Sequence, residues 1–571
     1  MYIDIVPNRN SPPAVLLRES IREGKKVRKR TIANLSHLPM ADVLELRAAM
    51  RAMAQGEKLV PLKQFEIIES KVHGDTDTVL LAMQRLGMAS LLSRRRCREA
   101  DLVMAMIAAR ICQPRTKLAT INWWQDRTLP EELGVAEATE DDLYAAMDWL
   151  LEQQGAIQKR LAKRHLTVGG RVLYDLSSSY FEGHCCPLAK RGYSRDGKKG
   201  TLQVNYGLLT DDRGCPVAIS VYEGNIADPV TLMPEVDRVR SEFGIEEMVL
   251  VGDRGMISGK AIEQFKTMGG VEWITALKSD PIRALVEGGA LQLDLFDEQN
   301  IFELQHEGYP GERLIACCNR ELAKRRSRKR DELLAATETG LEAVAARVAA
   351  GRLNGAARIG IAVGKIIGKR KMGKHFLLQI TDDSFTYERD TQNILREAAL
   401  DGVYIVRTSL KQEEMDTADC VRSYKTLSRV ERAFRTLKSV DLKVRPIHHR
   451  LADRVRAHIA LCMLAYYVEW HMREAWRPLT FADTELADKQ TRDPVAPARR
   501  SEAAERKART KKLPDGTRVH SFRSLLEHYT TIVRNTCRMP GGVEKDASFT
   551  VVTTPNDLQC KARELIEAIS P

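Results

Sequence analysis

Two short apolar runs, each carrying an aspartate, constrain this chain more than any other feature. They are Arg171-Val-Leu-Tyr-Asp-Leu176 and Met248-Val-Leu-Val-Gly-Asp-Arg-Gly255. Runs of Val and Leu this short, without polar alternation, read as strands buried in a sheet. A carboxylate in or just after such a strand is costly to bury unless something claims its charge. A fold that uses both strands side by side gathers Asp175 and Asp253 at one place in the sheet. Gly252 and Gly255 let the backbone turn around the second of them.

The neighbouring segments continue the pattern. Leu202–Leu209 and Val217–Tyr222 flank Thr210-Asp-Asp-Arg-Gly-Cys-Pro216, which predicts an antiparallel hairpin with Asp211 and Asp212 in its turn. Pro229–Phe243 and Ser258–Met268 read as helices and Glu272–Leu277 as a further strand. Asp228 reads as the cap of the first of these helices. The order β-β-β-α-β-α-β predicts an α/β chain with an RNase H-like core, a hairpin sheet extended by parallel strands.

A chain of 571 residues exceeds a single core, and at roughly 150 residues per domain it holds three or four units. Residues 1–60 read as a small basic β-rich unit, with the cluster Arg22-Glu-Gly-Lys-Lys-Val-Arg-Lys-Arg30. Residues 61–165 read as a helical domain with a capping box at Thr139-Glu-Asp-Asp142, one whose basic faces suit DNA binding and whose pattern equally fits a plain helical bundle. The catalytic core is assigned to 170–280 and 401–480, with a mixed α/β insertion at 281–400. That insertion opens with seven basic residues between Arg320 and Arg330, continues into an Ala-rich helix, and contains strand-like runs at Arg358–Ile367 and His375–Thr381. Gly402–Thr408 reads as a strand, and Thr417–Val440 and Arg454–Trp476 as helices. Residues 485–571 read as a mobile basic linker and a small terminal unit.

Lysine and arginine exceed aspartate and glutamate by 89 − 77 = 12, which favours a polyanionic partner. The 11 cysteines contain no C-x-x-C, which removes support for zinc ribbons and thioredoxin-type sites and fits a reducing cytoplasm. No signal peptide is read at Met1-Tyr-Ile-Asp-Ile-Val-Pro7, and the most apolar stretch, Ile459–Val468, is too short to span a bilayer, so no membrane partner is expected.

Carboxylates suit hard cations. Mg²⁺ is usually held by one or two of them, with water and substrate phosphate completing the shell. A third acid is Glu431, in Tyr424-Lys-Thr-Leu-Ser-Arg-Val-Glu-Arg-Ala-Phe-Arg-Thr-Leu-Lys438. Tyr424, Glu431 and Lys438 recur every seven residues and share one face of a regular helix, with Arg435 one turn beyond the glutamate. An acid beside a guanidinium and an ammonium suits a metal ligand next to bound phosphate.

Here the chain resembles bacterial insertion-sequence transposases of the Asp-Asp-Glu (DDE) superfamily, in the branch marked by Tyr-x2-Arg-x3-Glu-x6-Lys. Tyr424, Glu431 and Lys438 match that spacing; the arginine position holds Leu427, with Arg429 two residues on. Gly224-Asn-Ile-Ala-Asp228, Asp253-Arg-Gly-Met256 and Arg445-Pro-Ile-His-His449 are similar to further stretches of the family. The resemblance covers about 170–475. It implies an RNase H-like core interrupted between the second Asp and the Glu, for which the spacing 431 − 253 = 178 leaves room. It implies Asp175, Asp253 and Glu431 as catalytic ligands of two Mg²⁺ or Mn²⁺ ions, with Tyr424, Arg435 and Lys438 toward DNA. The implied reaction is cleavage at element ends followed by transfer of the 3′-hydroxyl into target DNA. The implied partners are double-stranded terminal inverted repeats and target DNA, bound by a homodimer in the cytoplasm at the nucleoid. A related RNase H-fold nuclease or resolvase without strand transfer, or an inactive DNA-binding protein, is the alternative.

Overall fold

The two aspartate-bearing runs are neighbouring parallel strands. In the computed structural model, which describes residues 1–9, 11–56, 66–486, 491–538 and 548–570, Arg171–Tyr180 pairs with Met248–Val251, with Val172 opposite Leu250 and Leu173 opposite Val251. Asp175 and Asp253 each follow two residues after that last pair.

On its other edge Arg171–Tyr180 pairs antiparallel with Leu202–Asp211, and that strand pairs with Pro216–Glu223. Val271–Ala276 adds in parallel beyond Met248–Val251. The order Pro216–Glu223, Leu202–Asp211, Arg171–Tyr180, Met248–Val251, Val271–Ala276 is that of an RNase H-like core. The sheet then continues antiparallel through Val403–Thr408, Arg313–Cys318 and Ile301–Leu304. The inserted segment therefore contributes two strands to the catalytic sheet.

The hairpin is covered by the helices Glu140–His165 and Ala452–Ala475, which pack on each other and on Pro216–Glu223. Thr139 and Asp142 form the expected capping box. Ala452–Ala475 is buried almost all round because its middle, Ile459–Val468, is apolar on every face. Arg98–Cys112 and Gly74–Arg85 extend this helical layer.

Several elements differ from the sequence reading. Arg358–Ile367 lies inside the helix Ala356–Arg370. Its β-branched residues suggested a strand, but Ile359, Val363, Ile366 and Ile367 recur at helical spacing and pack against Leu334, Leu341 and Val344 of the helix Arg320–Ala349. The hairpin Phe376–Ile380 and Phe385–Arg389 closes the same small core. The region expected to be a mobile linker contains the helix Glu502–Thr510, capped by Ser501. Its Lys507 is buried, and the ammonium donates to the carbonyls of Pro478, Thr480 and Ala482, each at 3.3 Å. The terminal helix Asp557–Glu567 packs on Gly74–Arg85, and Trp476 Nε1 donates to the Ala562 carbonyl at 2.9 Å.

Residues 1–71 and 532–554 form a second compact unit. Tyr2–Val6, Ala14–Glu23 and Lys26–Asn34 make a three-stranded sheet. The helix Met40–Ala54, not foreseen in the β-rich reading, buries Val43 against Ile3 and Val15. Glu66–Val72, Val533–Arg538 and Ser548–Val552 form another three-stranded sheet.

Candidate active site

Asp175 interrupts a strand that is otherwise buried nearly throughout. Burial pushes its carboxyl up to about 7; the charges of Asp253 and Asp228 act in the same direction, while the Leu176 amide and Arg195 pull it down. The Leu176 N–H donates to Asp175 Oδ1 at 2.8 Å. Asp253 is exposed, just past its strand, and the Gly255 N–H donates to its Oδ1. Among the described residues no hydrogen bond reaches the second oxygen of either acid.

Glu431 lies on the helix Leu427–Arg435, which buries Val430, Ala433 and Phe434 against Arg171–Tyr180 and leaves Glu431 and Arg435 exposed. The Phe434 ring sits 5.8 Å from that of Tyr206 on the adjacent strand. Tyr424 lies within the electrostatic field of the second and third acids. Burial pushes its phenol up to about 12, with Asp253 and Glu431 both adding to the rise. Arg435 makes no hydrogen bond or ion pair among the described residues.

Lys438 lies elsewhere. After Arg435 the helix widens into a π-turn, Thr436–Val440, and Lys438 turns inward. Its ammonium meets the buried Asp196 carboxylate at 3.1 Å, and Arg445 pairs with the same acid. Asp228 is the first residue of the helix Asp228–Ser241, whose cap position is Ala227, and its carboxylate pairs with Arg195 instead of capping. Arg429, near the signature's arginine position, donates to the Asp212 carbonyl and so holds the hairpin turn. His449, at the end of the family-like stretch Arg445–His449, packs against Tyr144 and His458, and burial pushes its imidazole down to about 3.

The sequence reading missed Arg195, which with Asp228 lies within electrostatic reach of Asp175, and Asp196, which binds the same strand at the Tyr180 amide. The stretch Tyr193-Ser-Arg-Asp-Gly197 carries only the signal of a turn.

The donor set fits a hard divalent cation, with carboxylate oxygens left free on adjacent strands and like charges that resist closer approach. As a set the three acids stand further apart than 4.8 Å. Among the described residues, His165, Cys215 and His471 do bring three ligand atoms within 4.8 Å. There, however, the Arg213 guanidinium reaches His165 Nδ1 at 3.2 Å and the Tyr467 hydroxyl reaches its Nε2 at 3.0 Å. Both ring nitrogens are engaged, so the cluster is a hydrogen-bonded junction between the hairpin turn and two helices.

Comparison with known proteins decides the family. Residues 172–468 match the family described as transposase DDE domain, and residues 3–61 match the N-terminal domain of IS1634 family transposases. The chain belongs to the DDE transposases. These enzymes cut and rejoin DNA, and divalent metal ions serve their chemistry. Among solved structures the chain is similar to the cryo-EM structure of a piggyBac transposase synaptic complex with hairpin DNA. The identity is 7% and the TM-score 0.33, with 80% of this chain and 77% of that chain covered. No curated protein matches the chain. No helix among the described residues of this transposase is long and apolar enough to cross a membrane.

Proposed function

We propose that this transposase cleaves DNA at the ends of its own element and transfers the freed 3′-hydroxyl into target DNA, with Asp175, Asp253 and Glu431 as ligands of two Mg²⁺ or Mn²⁺ ions. The observation that carries this reading is the strand register, which puts Asp175 and Asp253 two residues beyond the facing pair Leu173 and Val251. Glu431 comes from a helix packed on the same central strand. Bound divalent ions would activate the attacking oxygen and stabilise the leaving one. Asp175 on the central strand, Asp253 beside it and Glu431 on the packed helix would hold those ions. Tyr424, within the electrostatic field of Asp253 and Glu431, and the exposed Arg435 face the DNA backbone. Lys438 shared that expectation, and its ammonium is committed to Asp196 in the fold.

Two ends cut in concert need two centres, so a homodimer on DNA is the assembly we propose, acting in the cytoplasm at the nucleoid. The test uses a duplex copied from the DNA flanking the coding region. With Mg²⁺ the protein nicks it, and Asp175→Ala lowers the rate by about 10³-fold or more while retaining the gel shift. A chelator stops cleavage, and Mg²⁺ or Mn²⁺ restores it. Undiminished cutting by Asp175→Ala overturns the assignment. A strand-transfer assay on pre-cut ends separates a transposase from a nuclease of the same fold.

A further inference from the structure

The loop between Tyr180 and Leu202 folds back over the strand that carries Asp175. The Arg195 N–H donates to Ser178 Oγ at 3.1 Å, and the Tyr180 N–H donates to Asp196 Oδ2 at 3.0 Å. These bonds stitch the loop to the strand just beyond Asp175. The Asp196 side chain is 2% exposed and is held by two cations, Lys438 and Arg445. A second set of contacts fixes the loop from the other side. Gln203 Nε2 donates to the carbonyls of Tyr193 and Gly224, at 2.9 and 2.7 Å. Gly192 and Gly224 lie back to back, so that a Cβ on Gly192 would stand 2.1 Å from the Gly224 carbonyl oxygen. The loop has no room to slide.

What this construction delivers to the acids is Arg195. Its guanidinium pairs with Asp228 and lies within electrostatic reach of Asp175. An arginine fork matches two oxygens of a phosphate, and its charge stays on at any working pH. Three acids drawn together at one place repel a polyanion, and a fixed cation among them offsets that repulsion where the backbone must approach. Asp228 can release the guanidinium at low cost, because it begins a 14-residue helix whose dipole favours a negative charge there.

We propose that Arg195 contacts the DNA phosphate at the cleavage centre, and that Lys438 and Arg445 are positioning residues that act through Asp196 and not on the DNA. The proposal rests on the reading of Asp175, Asp253 and Glu431 as that centre. It accounts for the inward turn of Lys438, since the lysine is needed inside the protein.

The experiment measures single-turnover cleavage of the flanking-DNA duplex by the full chain. Arg195→Ala cuts about 10²-fold more slowly, while its gel-shift affinity falls less than about tenfold. Arg195→Lys regains part of the rate, and millimolar methylguanidine rescues Arg195→Ala but not Asp175→Ala. A residue that only supports the fold shows no such rescue. Asp196→Asn, and more mildly Lys438→Met, slow cleavage in the same way. The double variant Arg195→Ala/Asp196→Asn is no slower than Arg195→Ala alone, within about threefold, because both changes remove one function. Wild-type cutting rates in Arg195→Ala, absence of guanidine rescue, or losses that multiply in the double variant would each overturn the proposal and leave the acids' assignment standing. A wild-type protein that cuts no such duplex with either metal overturns both.

Discussion

Gly207 is the residue on which the central strand leans. It faces Tyr174 across the sheet, and a Cβ there would stand 2.1 Å from the tyrosine hydroxyl oxygen. Tyr174 is fully buried, and its hydroxyl lies 3.5 Å from that of Tyr222, which donates to Glu235 at 2.8 Å. Successive strand residues point to opposite faces, so anchoring Tyr174 on one face aims Asp175 at the other. Gly207→Ala should therefore destabilise the protein by about 1–3 kcal/mol, read as a lower thermal midpoint. An unchanged midpoint would show that the ring can move aside. At this scale the sequence is informative where chemistry breaks a pattern. Asp175 and Asp253 stand out because acids are rare in, or directly after, buried apolar runs, and Glu431 because its neighbours repeat at helical spacing. Arg195 and Asp196 do not stand out. Asp196 meets Lys438 across 242 residues of chain, a pairing that only tertiary structure creates.

Among the elements, the long helix Arg320–Ala349 shows how the insertion is tied down. The buried Arg330 makes a two-pronged pair with Asp401, at 3.1 and 2.5 Å, just before the strand Val403–Thr408. Neutralising the acid leaves the guanidinium buried without its counter-charge. Asp401→Asn should cost about 3 kcal/mol and speed limited proteolysis within 320–400. A digestion rate equal to wild type would mean that the apolar contacts of this helix suffice. Helix phase was legible only in part. The spacing Tyr424, Glu431, Lys438 assumes a regular helix, but the chain breaks at Thr426 and takes a wider turn over Thr436–Val440. Tyr424 and Glu431 stay in each other's field, while Lys438 departs to Asp196. A spacing counted at 3.6 residues per turn does not carry through a π-turn, where each turn holds more residues.

The molecule as a whole carries its basic excess on the outside and several neutral imidazoles within. His458 and His471 are 6% and 8% exposed, and burial pushes both well down, His471 to about 3. Below about pH 6.5 the unfolded chain takes up protons that the folded chain refuses. Their contribution is therefore fully present above that pH and is lost as pH falls toward the folded values. At pH 5 His471 alone costs about 2 kcal/mol. Urea unfolding should show stability falling between pH 7 and 5, with a shallower fall in His471→Gln; an identical pH slope in that variant would refute the assignment. The division into two units was not legible, since Arg538 pairs with Glu66 from 472 residues away.

The sheet also limits how far this protein can be trimmed. Arg313–Cys318 hydrogen-bonds along the full length of Val403–Thr408, and Ile301–Leu304 lies outside it. Residues 281–400 are thus no detachable cassette. Excising them would bare a six-residue run of unpaired amides and carbonyls on an apolar strand, an invitation to polymerise edge to edge. A minimal nuclease cut from this chain would have to keep those two strands, or be given a replacement border.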